Sequence, residues 1–223
     1  MKVILIGYPG SQCIVPASKY LTSKYLPQLD YGVAEYTPEG SYFATIYLNY
    51  KGAINGWASF VSGYLTALTD KNIIFALDDY LIADYMNEAF DMEAANKLVN
   101  GDTVCYKMCH CTPQEHEEYP VTTQWCIWDR KFLIWLLEQV SQPWEFEIKG
   151  SQIFKTTGKK VLQGPALKYF TNSSISSRWE GVRLDGLKPE DVKEVMKMLP
   201  EGAKVLVEQT GSEPINLNHA GFI

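Results

Sequence analysis

Two adjacent acids, Asp78 and Asp79, directly follow the apolar run 73–77, IIFAL. A continuous run of this kind is typical of a central strand buried on both faces. In open α/β sheets ligands bind beyond the carboxyl ends of the strands, so both acids should lie at a binding edge. Neighbouring carboxylates repel each other unless a cation or a hydroxyl-rich ligand compensates. A divalent cation shared with two phosphates would do so; the alternative is that the acids only cap the next turn or helix.

A second block with chemical potential is the segment 122–152, TTQWCIWDRKFLIWLLEQVSQPWEFEIKGSQ. Pro143 suits the first turn of a helix because that turn needs no N–H from it, and this places Glu145 near the third helical position. A carboxylate there can cap the helix, or it can act as a general base toward an acceptor hydroxyl. Taken alone, the block favours the cap. Trp144 offers a flat apolar face for an acceptor sugar.

The composition limits the classes of protein. Net charge is −6 and the Lys and Arg residues are scattered, which disfavours duplex nucleic acid as a partner because such binding relies on cations at phosphates. No apolar run approaches the roughly 18 residues of a membrane span. The start, MKVILIGYPG, reads as a first strand and not as a targeting segment. We expect one cytoplasmic domain over residues 1–223.

The cysteines and nearby histidines invite a zinc interpretation. Five cysteines without a secretion signal indicate reduced thiols, and the candidate zinc ligands are Cys105, Cys109, His110, Cys111 and His116. The spacing C-x3-C-H-C lacks the paired short loops of structural zinc sites. The alternation in this run instead favours a strand.

Hydrophobic periodicity predicts alternating strands and helices, which indicates an α/β sandwich. The predicted strands cover 3–7, 32–36, 42–48, 73–77, 104–109, 122–127, 167–171 and 204–208. The predicted helices cover 17–26, 56–68, 91–99, 130–140, a short helix that opens at Pro143, and 189–199. Asp91 is a good N-cap for the third helix, and Asn100-Gly101 should end it.

In this order, the blocks between residues 56 and 181 resemble a group of bacterial and viral GT-A glycosyltransferases. The shared features are an apolar strand that ends in an acidic pair, a segment like Gln124 to Trp128, and the run P-W-E-F-E. Arg178-Trp179-Glu180-Gly181 matches a later Arg/Lys-Trp element loosely. The resemblance implies a GT-A-like, Rossmann-type αβα sandwich with a mostly parallel central sheet. The adjacent acids depart from the spaced D-x-D of many relatives.

The resemblance also implies roles on the donor side. Asp78 would touch the ribose or uridine of a UDP-sugar, and Asp79 would bind Mn²⁺ or Mg²⁺ bridging the diphosphate. Lys155 and Arg178 would contact the donor, although charged runs such as 155–160 are usually only solvated. Tyr8 would stack on the base, or it is an ordinary aromatic at the end of a strand.

On the acceptor side, Gln124, Trp144 and Trp179 would bind the acceptor glycan or another hydroxyl-bearing substrate. Glu145 would be the base of an inverting displacement at the anomeric carbon. His219 in the tail is a possible late metal ligand, and a solvated histidine is the simpler interpretation.

Two other functions share this scaffold. A sugar nucleotidyltransferase usually has a Gly-rich basic loop after its first strand, whereas this chain has no Lys or Arg between Lys2 and Lys19. A non-catalytic carbohydrate-binding protein would not need all three of Asp78, Asp79 and Glu145.

Overall fold

The computed structural model describes residues 1–7, 14–26, 33–34, 45–49, 54–78, 80–85, 89–109, 113–171, 182–184, 186–199 and 205–206. The strands are β1 (Lys2–Gly7), β2 (Val33–Ala34), β3 (Thr45–Asn49), β4 (Asn72–Leu77), β5 (Tyr80–Tyr85), β6 (Thr103–Cys109), β7 (Cys126–Asp129), β8 (Lys160–Thr171), β9 (Val182–Arg183) and β10 (Val205–Leu206). The helices are α1 (Val15–Tyr25), α2 (Trp57–Thr66), α3 (Met92–Leu98), α4 (Pro113–Glu118), α5 (Arg130–Leu137), α6 (Pro143–Lys155) and α7 (Pro189–Met198).

Eight strands form one sheet in the order β2-β3-β1-β4-β7-β6-β8-β5, and β9 pairs with β10 separately. Within the large sheet, β7 is antiparallel to β4 and β6, and β5 is antiparallel to β8. The other six strands run in one direction. The predicted α/β class with a mostly parallel sheet is therefore confirmed.

Helices cover both faces of this sheet, so its central strands are buried on both sides. Alternate residues of β1 show this directly: Val3 and Leu5 pack in one core cluster, and Ile4 and Ile6 pack in the other. The first cluster contains side chains of α1, α3 and α7, and the second contains side chains of α2, α5 and α6. All six residues of β4 are buried, as its continuous apolar run predicts.

The predicted ends of two helices are confirmed. The Asp91 carboxylate accepts hydrogen bonds from the N–H groups of Glu93 and Ala94, at 2.9 and 3.0 Å, and so caps α3. Gly101 follows that helix with φ 63°, a backbone conformation that suits glycine. Pro143 is the first residue of α6.

Other boundaries differ from the predictions. The strand predicted over 122–127 begins only at Cys126, β5 and α4 were not predicted, and β8 begins at Lys160. The predicted strand 167–171 is the second half of β8. Its first half was missed because Gly164-Pro165 reads as a turn, whereas the structure places these residues at an irregularity between two pairing registers. A side chain at Gly164 would overlap the end of the Tyr106 side chain, so a larger residue there requires Tyr106 to move.

The strand interpretation of the cysteine run is confirmed, because β6 contains Cys105 and Cys109. His110 and Cys111 lie outside the described residues. In the part of the chain that the structure describes, no group of three or more His, Cys, Asp or Glu residues could hold a metal ion. A search of the same residues finds no helix with the length and apolar character needed to cross a membrane.

A buried carboxylate joins the last helix to the first. Asp191 of α7 is fully buried and accepts hydrogen bonds from Tyr20, Lys24 and Tyr25 of α1, at 3.0, 2.6 and 2.6 Å. Burial raises the pKa of the Asp191 carboxyl, but these hydrogen bonds outweigh burial and hold the pKa below its ordinary value. The ionised carboxylate therefore fixes α7 on α1.

Candidate functional site

The carboxyl end of β4 is held from both sides. The Asp78 N–H donates to the Ile6 carbonyl of β1 at 3.0 Å, and the Leu77 N–H donates to the Thr123 carbonyl at 3.0 Å. Asp78 is 2% exposed. It therefore lies at the carboxyl edge of the parallel strands, where ligands bind in open α/β sheets. Asp79 and Tyr8, which follow β4 and β1 in the chain, lie outside the described residues.

The segment 118–123, which leads toward β7, lies against this end of β4. Val121, Thr122 and Thr123 are buried, although Val121 to Trp125 form neither helix nor strand. One oxygen of Glu147 on α6 accepts three hydrogen bonds here. The donors are the Thr123 N–H at 2.8 Å, the Thr123 hydroxyl at 2.7 Å and the Thr122 hydroxyl at 3.2 Å. These contacts place Gln124, the next residue, beside the end of β4.

The first turns of α6 lie at the same edge of the sheet, because Glu147 contacts Thr123 there. Trp144 and Ile148, four residues apart and therefore on one face of α6, are 49% and 54% exposed. Trp144 is thus accessible to a ligand, as its proposed role in acceptor binding requires.

Glu145 occupies the third position of α6 and interacts with the residue before the N-cap. Its Oε2 accepts from the Ser141 N–H at 2.8 Å and from the Ser141 hydroxyl at 2.7 Å. The hydrogen bonds from the hydroxyl and then the backbone lower the pKa of the Glu145 carboxyl. These are the contacts that the capping interpretation predicts. Because residues two apart on a helix differ by about 200° in direction, Glu145 and Glu147 face opposite sides.

The structure brings some of the predicted site residues together and not others. Asp78, Gln124, Trp144 and Glu145 lie at the carboxyl edge. Lys155 ends α6, eight residues or about 12 Å along the helix axis beyond Glu147, and donates to the Glu118 carbonyl at 3.2 Å. Lys159 and Lys160 lie beside the start of β6, at the opposite edge of the sheet. Predicted site residues outside the described part of the chain are Tyr8, Asp79, Arg178, Trp179 and His219.

Glu147 also lies at this edge, and the sequence offers it only as a second acid of the P-W-E-F-E run, an alternative to Glu145. The local sequence indicates only that Glu147 shares one side of α6 with Ser151 and Lys155, which follow it by four and eight residues. Their partners lie about 25 to 40 residues earlier in the chain. A pattern confined to the helix does not reveal such partners.

The two residues that the sequence proposes as metal ligands, Asp79 and His219, lie outside the described residues, so the described part of the chain supplies only the neighbouring Asp78 carboxylate. Mg²⁺ is commonly held by one or two carboxylates together with substrate phosphates. Asp78 supplies a carboxylate at the edge, and Asp79 follows it in the chain.

No protein-family model matches the chain, and no curated protein matches it. Solved structures similar to it include a mannosyltransferase from Pyrobaculum calidifontis in complex with GDP-Man and Mn²⁺, with 14% identity, a TM-score of 0.44, and coverage of 79% of this chain and 58% of that chain. The galactosyltransferase LgtC, in complex with donor and acceptor sugar analogues, has 9% identity, a TM-score of 0.40 and coverage of 74% and 73%. A cytidylyltransferase from Leptospira borgpetersenii has 11% identity, a TM-score of 0.38 and coverage of 74% and 75%. The chain therefore spans less than two thirds of the mannosyltransferase, and both a glycosyltransferase and a nucleotidyltransferase are among its structural neighbours.

Proposed function

We propose that this protein is a glycosyltransferase that moves a sugar from a UDP-sugar donor to an acceptor hydroxyl. The observation that supports the proposal most is the arrangement at the carboxyl edge of the sheet. Asp78 directly follows β4 at this edge, and the start of α6 brings Trp144 and Glu145 to the same edge. Asp78 would thus lie on the donor side of a binding site at this edge, and Trp144 and Glu145 would lie on its acceptor side.

On the donor side, Asp78 would accept hydrogen bonds from the ribose hydroxyls or the uracil ring. Tyr8 and Arg178 are proposed as further donor contacts. Asp79 and His219 would hold Mn²⁺ or Mg²⁺. A bound cation of this kind stabilises negative charge on a departing diphosphate.

On the acceptor side, Trp144 would stack on the acceptor sugar, and Gln124 and Trp179 would contribute polar and aromatic contacts. Glu145 would take the proton of the attacking hydroxyl, which requires it to leave Ser141 when the acceptor binds. The hydrogen bonds from Ser141 lower the pKa of Glu145 and so weaken it as a base. Leaving Ser141 removes that cause and makes the carboxylate a stronger acceptor for the proton. Loss of the proton makes the acceptor oxygen a better nucleophile in an inverting displacement.

The proposal is tested by measuring nucleotide release across a panel of donor sugars with and without Mn²⁺. We expect release from a UDP-sugar, and calorimetry should show that EDTA weakens UDP binding. Asp79→Asn should lower metal-dependent turnover by roughly 10²-fold or more, because a bound metal supplies several kcal/mol of charge stabilisation.

Asp91→Asn is the matched control, since it makes the same acid-to-amide change at the N-cap of α3 and should turn over normally. Wild-type metal-dependent turnover in Asp79→Asn would contradict the assignment of the acidic pair. Tight binding of ATP or CTP without a response to UDP would favour a nucleotidyltransferase. Carbohydrate binding without nucleotide release would favour a non-catalytic protein.

A further inference from the structure

Three polar side chains on one side of α6 contact the segment 118–123 in succession. Lys155 Nζ donates to the Glu118 carbonyl at 3.2 Å, and the Ser151 hydroxyl donates to the Val121 carbonyl at 3.3 Å. The Ser151 hydroxyl also accepts from the Val121 N–H at 3.1 Å. Glu147 then accepts the three hydrogen bonds from Thr122 and Thr123 described above. We call this set of contacts between α6 and the segment the polar seam.

The sheet holds the same segment from its other side. Lys107 of β6 is 2% exposed, and its amine donates to the Tyr119 carbonyl. Buried backbone N–H and C=O groups need partners, and Val121 to Thr123 are not paired within a helix or strand. Side chains from α6 and β6 therefore supply the partners that regular structure would otherwise provide.

Glu147 differs from the other members of the seam in its place and in its chemistry. It binds the end of the segment where the Thr123 carbonyl accepts from the Leu77 N–H. A short chain of contacts thus joins Glu147, through Thr123, to Leu77 and the adjacent Asp78. Hydrogen bonds to an ionised carboxylate are shorter and stronger than those between neutral groups, so this contact fixes Thr123 firmly.

We infer that Glu147 is a positioning residue for the proposed transfer reaction. Through Thr122 and Thr123 it fixes Gln124 and the end of β4, where Asp78 would meet the donor. This inference rests on the proposed function. A misplacement of about 1 Å, even from a change away from the chemistry, can lower turnover by roughly 10²-fold. The carboxylate acts here as an acceptor of hydrogen bonds, and an amide oxygen can accept the same bonds.

The test compares Glu147→Ala with Glu147→Gln, and uses Asp129→Ala as a control for stability. Asp129 caps α5 at the opposite end of β7, where it accepts from the Phe132 N–H at 2.8 Å. We expect Glu147→Ala to lower kcat by roughly 10²-fold, and Glu147→Gln to restore most of that loss. Asp129→Ala should lower the melting temperature while keeping normal turnover.

Hydrogen exchange gives a second measurement that does not depend on activity. In Glu147→Ala the amides of Leu77 and Thr123 should exchange faster, while Ile74 in the middle of β4 stays protected. Glu147→Gln should restore the slow exchange. Unchanged exchange in Glu147→Ala, or normal turnover, would overturn the positioning role. Equal loss of kcat in the Gln and Ala variants would also overturn it, because a residue that needs its charge acts in the reaction itself.

The two proposals fail in different ways. Absence of transfer by the wild-type protein with every donor would overturn the proposed function. In that event the exchange rates of Leu77 and Thr123 still decide whether Glu147 fixes the end of β4.

Discussion

Two carboxylates of this protein each accept three hydrogen bonds, yet they join different kinds of structure. Asp191 joins two regular helices, and its donors include the amine of Lys24, so both of its oxygens are used and its charge is balanced. Glu147 joins a helix to an irregular segment, and its three donors are neutral groups that share Oε1. Within the described residues, no hydrogen bond to its Oε2 is recorded.

This difference in hydrogen bonding separates a carboxylate whose two oxygens both have partners from one with a single bonded oxygen. A charge that is paired and fully bonded, such as that of Asp191, has no capacity left for a ligand, so we assign it to stability alone. Glu147 instead holds an irregular segment whose Thr123 carbonyl bonds to the end of β4, next to Asp78. We therefore expect changes at Asp191 to alter unfolding, and changes around Glu147 to alter turnover.

The largest effect is expected at a third carboxylate, Glu145, which accepts two hydrogen bonds from Ser141. If it is the base, Glu145→Gln should lower the rate of the chemical step by roughly 10²–10⁴-fold, the range for loss of a general base. Donor affinity should stay close to wild type, because the donor would bind on the Asp78 side. Single-turnover rates and calorimetry measure the two quantities. Near-normal turnover with a lowered melting temperature would leave Glu145 only its role as a cap.

The next largest effect should follow from Asp191→Ala. The change leaves the Tyr25 hydroxyl without its carboxylate and Lys24 without its counter-charge. About a third of the Lys24 side chain is exposed and stays hydrated, so we expect a loss of about 2–3 kcal/mol in the free energy of unfolding. Urea unfolding measures this loss. Turnover per folded molecule should not change, and a variant with reduced turnover but wild-type stability would contradict the division of roles.

The contact between Asp191 and α1 should also make the stability of the protein depend on pH, with a smaller effect. Because the pKa of Asp191 is lowered in the folded state, its contribution is present above about pH 4 and is lost as the pH falls below that value. Burial, and then the hydrogen bond to Asp191, raise the pKa of Tyr25, so its contribution is lost as the pH rises above about 10. The difference in urea midpoint between wild type and Asp191→Ala, followed from pH 3 to 11, reports the acid limb and the part of the alkaline limb that comes from the Asp191 hydrogen bond to Tyr25. A difference that does not vary with pH would contradict this account.

The smallest effect is expected at Lys188, at the N-cap of α7. It forms an exposed ion pair with Asp84 at 2.8 Å, and exposed pairs contribute little to stability. Lys188→Gln should therefore leave the urea midpoint close to that of wild type. A loss as large as that of Asp191→Ala would mean that α7 is held mainly by its surface charges.

The sequence predicted the parts of the site that depend on local patterns. The apolar run of β4 placed Asp78 at a strand end, and Pro143 placed Glu145 at the third position of α6. In both cases the physical cause lies within a few residues of the site. For Asp78 it is the burial of β4 on two faces, and for Glu145 it is the missing N–H of Pro143.

Residues 122–125, before β7, were wrongly predicted as part of the strand 122–127. The backbone of residues 121–123 instead bonds to Ser151 and Glu147, which follow in the chain and give no local signal at the segment itself. The start of β8 was missed because Gly164-Pro165 reads as a turn, and only the pairing of residues 160–163 with β6 shows that the strand begins before it. Hydrogen-bonding partners distant in sequence thus determine the conformation of these segments, which the local residue pattern does not predict.

The position of β5 in the sheet has a consequence for synthesis of the chain. β5 comes directly after β4 but lies at the far edge of the sheet, beyond β7, β6 and β8. Its hydrogen-bonding partners in β8, residues 167–171, are made more than eighty residues later, which is about 4–17 s at 5–20 residues per second. An unpaired strand is a template for wrong pairing. The nascent chain therefore passes through a period in which Tyr80–Tyr85 must be kept from other edges, so faster translation of the residues between β5 and β8 should raise the yield of correctly folded protein.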